Sequence, residues 1–285
     1  MPWPISALPY PFELEFMRRA LVAGIAVGIF APMIGTFLVQ KRMSLIGDGI
    51  GHVAFAGVGA GLIAGIWPIW TALAFAVAGA LGVEWLRSRR KASGDLALAL
   101  FFYSGIALGV VLVSLGGGLN ASLLTYLFGQ PLTVNDSELV VILILGVVIV
   151  ASMLALRRVL FAVVTDEDWS RVSGLPVGFV NNVLAVLTAV AVVAAMRIVG
   201  ILLIAAMMVL PVASGQILAR SFRSTLRWSI AVSVSSVIAG LAASRIWGTA
   251  PGGTIVLIAA AVFAVVSVAR RSGVSRLPAT EEADL

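Results

Sequence analysis

A chain of 285 residues that is 61% hydrophobic and only 11% charged, with mean hydropathy +1.10, is not an ordinary soluble domain, since such domains carry about 25% charged residues. The absence of cysteine excludes disulfide scaffolds, thiolate metal sites and cysteine nucleophiles. The net charge of +6 does not point to nucleic acid, because Lys and Arg in so apolar a chain gather on loops at one membrane face.

Apolar runs of roughly 20 residues, each able to cross about 30 Å of hydrocarbon as a helix, mark an all-α polytopic membrane protein. In chain order they cover 19–39, 45–66, 68–86, 96–116, 138–156, 178–195, 198–219, 228–247 and 253–270. Nine spans are expected, or eight if one run is re-entrant or two merge. Residues 1–18 are expected to form a surface segment and 272–285 a disordered tail, with one transmembrane domain between them. Arg18-Arg19 and the run after them imitate a secretory signal, but 17 residues precede the pair and the run exceeds signal length. Lys41, Arg42 and the clusters near 87–91, 157–158, 171, 220–227 and 270–276 fall on one side. They make up 15 of the 19 basic residues, leaving Arg18, Arg19, Arg197 and Arg245 opposite. That bias predicts a cytoplasmic C-terminus. Trp67 and Trp70 at one boundary, and Trp85 and Trp228 at the other, suit the headgroup level.

The stretch SLIGDGIGHVAFAGVGAG holds the only histidine, His52, four positions after Asp48. On a helix the two share a face, and ionisable groups inside a span are functional by default. Carboxylate and imidazole make a half-site for zinc, manganese or iron(II). A symmetric homodimer would bring together two of each. The other reading of the pair is an Asp–His hydrogen bond that braces the bundle. Asp95 is expected as an N-cap, Asn181 and Asn182 as interhelical ties, and Pro211 as a kink in the seventh span.

The second informative stretch is VVTDEDWSRVSGLPVG. Asp166 suits an N-cap, Glu167 and Asp168 the first turn, Gly174 the position after the last turn, and Pro176 blocks continuation. Trp169 and Val172 are expected on one side of this short helix. A free helix of two turns is marginal in water, so it either docks on something or lies in the headgroup layer. No GxxxxGK[ST] run exists, so any ATP must be bound by another polypeptide.

From about residue 14 to 270 the chain resembles the membrane subunit of ABC transporters for zinc, manganese and iron(II) uptake, the ZnuB-like permease family. KRMSLIGDGIGHVAFAGVGAG is similar to that family's GD-x-x-x-H signature, and RKASGDLALALFFYSGIALGVVLVS to its next helix. LFGQPLTVNDSEL, RIVGILLIAAMMVLPVASGQ and APGGTIVLIAAAVF resemble its outer junction, its VG…LP helix and its last span. The resemblance implies a type II-like importer fold in a bacterial plasma (inner) membrane, working by alternating access. It makes Asp48 and His52 the metal-contacting pair. Asp166, Glu167, Asp168, Trp169, Ser170, Arg171, Val172 and Gly174, within residues 166–175, become the coupling helix. It further implies a homodimer surrounded by lipid, two cytoplasmic ATPase subunits, an extracytoplasmic metal-binding protein, and no cofactor or enzymatic activity in this chain. Ala56, Val53 and Ser170 depart from the family's usual proline, alanine and alanine. The competing reading is an ion-coupled secondary transporter with Asp48 as protonatable carrier.

Overall fold

The computed structural model describes residues 10–89, 94–118 and 121–274, with backbone alone at 95, 121, 122 and 271–274. Among these residues every regular element is helical. In order they are α1 (Glu15–Gln40), α2 (Ile46–Ala64), α3 (Pro68–Ser88), α4 (Gly94–Leu115), α5 (Ala121–Phe128), a 3₁₀ turn (Pro131–Thr133), α6 (Asp136–Thr165), α7 (Glu167–Val172), α8 (Val177–Ala195), α9 (Ile204–Leu218), α10 (Phe222–Trp247) and α11 (Pro251–Val274). Helix α1 starts inside the segment expected on the surface and already buries Met17. Helix α4 includes Asp95, which is therefore inside the helix and not its cap. Helix α11 reaches Val274, and the rest of the expected tail lies outside the described residues.

Eight helices, α1, α2, α3, α4, α6, α8, α10 and α11, are long and apolar enough to cross a membrane. The seventh expected run, 198–219, is corrected to a shorter helix. Only the 15 residues of α9 are helical there, a rise of about 22 Å against about 30 Å of hydrocarbon. Residues 196–203 leave the helical path, and Gly200 takes φ +96, a left-handed conformation that side chains disfavour. Their amides are not abandoned. The Ile201 N–H donates to the Tyr126 carbonyl at 3.0 Å and that of Leu202 to the Leu127 carbonyl at 3.2 Å. The Arg197 carbonyl accepts from the Gln130 N–H at 3.0 Å. Unwound backbone at membrane depth is tolerated when protein satisfies it in this way. The partner is α5, a helix that no apolar run announced.

In their apolar 18-residue stretches, α1, α2 and α8 have 72%, 67% and 67% of residues buried, against 22% for α4 and 17% for α11. The first three are therefore central and the last two face outward. Helix α2 packs against α3, α4, α8 and α9. Small residues let these backbones touch. A Cβ on Gly105 of α4 would sit 2.9 Å from the Val53 nitrogen and 3.0 Å from the His52 carbonyl carbon. A Cβ on Gly35 of α1 would lie 1.9 Å from the Met208 carbonyl oxygen of α9.

Backbone cannot swing aside as a side chain can, so Gly35→Ala must part α1 from α9. Overpacking of this kind costs roughly 1–3 kcal/mol. The variant should show a lower thermal midpoint than native protein in the same detergent. An unchanged midpoint would mean that the α1–α9 contact is not under constraint.

Candidate functional site

Asp48 lies in the first turn of α2 and His52 one turn further on. The glycines around them admit neighbours closely: a Cβ on Gly47 would meet the Met208 sulfur of α9 at 3.1 Å, and one on Gly49 the Leu98 side chain of α4 at 2.5 Å. His52 Nε2 stands 3.8 Å from Asp48 Oδ1. That is too long for the bracing hydrogen bond, yet within the about 4.2 Å that two ligand atoms each about 2.1 Å from one ion can span. The imidazole is fixed from α4 by Phe102, whose ring meets it edge-on at 4.5 Å between centroids. Side-chain exposure of 31% for Asp48 and 13% for His52 leaves both partly open. Among the described residues no third His, Cys, Asp or Glu joins them as a metal-binding group. One chain thus offers two donors at this place.

The short helix α7 forms as its caps predict. The Asp166 carboxylate accepts from the Trp169 N–H at 2.8 Å. At the other end Gly174 takes φ +78. The Gly174 N–H then donates to the Arg171 carbonyl at 3.2 Å and that of Leu175 to the Ser170 carbonyl at 3.0 Å, a Schellman closure. Trp169 and Val172 are 69% and 83% exposed, whereas Ser170 turns inward at 1%. The Ser170 hydroxyl finds no hydrogen-bond partner there.

Glu167 is the centre of a polar cluster that joins four elements. Its Oε2 lies 3.6 Å from Lys41 Nζ, just past α1, and 3.5 Å from Arg87 Nη1 on α3. Its Oε1 lies 3.4 Å from Arg171 and accepts from the Asn181 amide of α8 at 3.4 Å. Lys41 also donates to the Asn181 side-chain carbonyl. Arg87 in turn donates twice to the buried Glu84, at 2.9 and 2.8 Å. Burial opposes ionisation of Glu167, but Lys41, Arg87, Arg171 and the Asn181 amide outweigh it and hold the carboxyl below its ordinary range. Burial and the neighbouring Arg87 lower Lys41 to about 8, against the opposing pull of Glu167 and Glu84. At the opposite end of the bundle, Arg19 pairs with Asp136 at 2.9 Å and Arg197 with the buried Glu138 at 3.0 Å. Two of the four basic residues on the arginine-poor side are neutralised in this way.

The profile of the ABC 3 transport family matches residues 13–270. The chain belongs to that family. It is 29% identical over 257 residues to the high-affinity zinc uptake system membrane protein ZnuB of Haemophilus influenzae, covering 90% of this chain and 98% of that one. It is 31% identical over 251 residues to the manganese transport system membrane protein MntC of Halalkalibacterium halodurans, covering 88% and 86%. Among solved structures, PsaBC from Streptococcus pneumoniae in complex with Fab is similar, with a TM-score of 0.80 and 30% identity over 89% of this chain and 91% of that one.

Sequence reasoning in this family member located the pair and the capped helix but missed the cluster around Glu167. Glu167 reads as a residue suited to a helix N-terminus, Lys41 and Arg87 as markers of orientation, and Asn181 as a tie of unknown partner. The available signal was Glu84, an acidic residue inside an apolar run one turn before Arg87, since a carboxylate so placed requires a cation.

Two outcomes follow from these surroundings. Ser170→Ala removes a buried hydroxyl with no partner, so it should leave the thermal midpoint unchanged or raise it, by about 1 kcal/mol at most. A clear fall would assign the hydroxyl a bond. Lys41 loses its proton near pH 8 in the folded chain but at its ordinary 10.5 when unfolded. Its contribution to stability therefore rises with pH across that window. The difference in thermal midpoint between native protein and Lys41→Met should shift in favour of native protein from pH 8 to 10.5. A constant difference would place Lys41 in a more watery setting.

Proposed function

We propose that this chain is the membrane-spanning subunit of an ATP-binding-cassette importer that carries a divalent transition-metal ion into a bacterial cytoplasm, with zinc favoured over manganese and iron(II). Family membership over 13–270 carries the reading, and the Asp48–His52 pair in the central helix α2 gives it chemistry. The relatives named for zinc and manganese support a metal cargo. Oxygen and nitrogen donors without sulfur suit all three ions, and an imidazole paired with a carboxylate is well suited to zinc.

In this reading two copies form a homodimer, so that two Asp48 and two His52 complete a set of four donors. An extracytoplasmic binding protein delivers the ion. Two ATPase subunits on the basic, cytoplasmic side engage α7, whose Trp169 and Val172 stand exposed for docking. The C-terminus lies on that same side. ATP-driven closure then shifts the helices around the pathway and opens it inward. Contact with the pair must remain weak enough for the ion to leave. ATP hydrolysis in this reading belongs to the partner, in keeping with a sequence that carries no GxxxxGK[ST] run. Gradient-driven transport with Asp48 as proton carrier finds no support in the family relation.

The test is uptake of radioactive zinc, manganese and iron(II) by cells from which the gene has been removed. Native chain should restore uptake of one ion, while Asp48→Asn and His52→Ala should each lower it at least ten-fold at equal membrane levels. Full uptake by Asp48→Asn would remove the pair from the pathway. Uptake that survives deletion of the partner ATPase would instead favour the gradient-driven reading.

A further inference from the structure

Helix α7 packs on its chain neighbours α6 and α8. Among the described residues its ion pairs toward α1 and α3 are made by one carboxylate, that of Glu167, which faces Lys41 and Arg87 with the same oxygen. Lys41 occupies a particular place in the chain. It caps the C-terminus of α1, and seven residues later Asp48 stands in the first turn of α2.

The turn between them is closed tightly. Arg42 takes φ +58, a left-handed conformation uncommon for a residue with a side chain. The Met43 N–H donates to the Leu38 carbonyl at 2.9 Å and that of Arg42 to the Val39 carbonyl at 3.0 Å. The Ile46 N–H donates to the Met43 carbonyl and that of Asp48 to the Leu45 carbonyl, both at 3.1 Å. A turn pinned on both sides by main-chain bonds passes on displacement and does not absorb it.

On this ground, and resting on the function proposed above, we propose that Lys41 and Glu167 are positioning residues that carry movement of α7 to Asp48. Pull on α7 reaches Lys41 through the Glu167 carboxylate, passes along the turn at 42–45, and reorients the first turn of α2. Arg87, tied to Glu84, receives the same pull on α3, which also packs on α2. The separations of 3.4–3.6 Å around Glu167 suit such a joint. They are longer than ordinary hydrogen bonds, so the carboxylate is held by charge from several directions and can shift its weight among Lys41, Arg87 and Arg171.

The test uses the assembled permease–ATPase complex in proteoliposomes, reading ions imported per ATP hydrolysed with radioactive zinc and manganese as probes. If native complex imports neither ion on ATP, the proposed function itself fails, independently of the joint. If it does import, Lys41→Met should keep hydrolysis and lower the ratio at least five-fold, and Lys41→Arg should restore it. Glu167→Gln should lower the ratio, and the double variant should be no worse than the lower single, because both break one link. A merely structural role would instead lower assembly or thermal midpoint and leave the ratio of the surviving complex intact.

A native-like ratio in assembled Lys41→Met would overturn the proposal, as would additive losses in the double variant. If Lys41→Met fails to assemble, Lys41→Gln decides, since it keeps a donor for Asn181 and removes the charge that Glu167 meets. Its ratio should fall at least five-fold with hydrolysis kept, and a native-like ratio would overturn the joint.

Discussion

Contact of backbone with backbone, at residues that lack side chains, is what the rest of this structure depends on. Lipid offers no hydrophobic drive between helices, so association rests on close packing and internal polar contacts. Gly35 brings α1 against the Met208 carbonyl, and Gly105 brings α4 against the chain at His52 and Val53. Helix α2 is thereby gripped by α3, α4, α8 and α9, and the direction of its Asp48–His52 face is set by main chain. Small differences in ligand position discriminate ions, so under the function proposed above a face held by main chain, and moved only as the turn at 42–45 moves, suits a contact both brief and selective.

The second constraint is charge. Ionised groups removed from water are costly unless paired, and the pairs here divide into two kinds. Arg197 with Glu138, and Arg87 with Glu84, are close and largely buried pairs, at 3.0 Å and 2.8 Å. The Arg197 guanidinium also lies over the Tyr126 ring at 5.0 Å, which ties α5 into the same arrangement. The contacts of Glu167 are looser and more numerous. Close pairs within the frame, and a shared and looser carboxylate where α7 meets it, are what the proposed coupling requires of the two ends.

Much of this was legible in the sequence because it is local. The length of apolar runs gave the crossings, and the i, i+4 spacing gave the shared face of Asp48 and His52. Asp166 and Gly174 marked the ends of α7 by their capping chemistry. What could not be read depends on partners distant in the chain. RIVGILLIAAMM is as apolar unwound as it would be helical; Gly200 permits the break, and the distant carbonyls of Tyr126 and Leu127 satisfy the amides it frees. Likewise Lys41, Arg87, Glu167 and Asn181 are separated by dozens of residues, and periodicity says nothing about which carboxylate a cation will find. The pairing of Arg19 with Asp136 and Arg197 with Glu138 also accounts for basic residues that charge bias alone left as exceptions.

The interrupted seventh crossing bears on how the chain enters its membrane. Fifteen helical residues are too short to partition into hydrocarbon as an independent unit, and the preceding amides at 201 and 202 are satisfied only by α5. That segment therefore cannot shed its water until α5 and the start of α6 are already in place. Biogenesis of this protein acquires an order: the earlier helices form a template, and the unwound stretch with α9 is admitted against it.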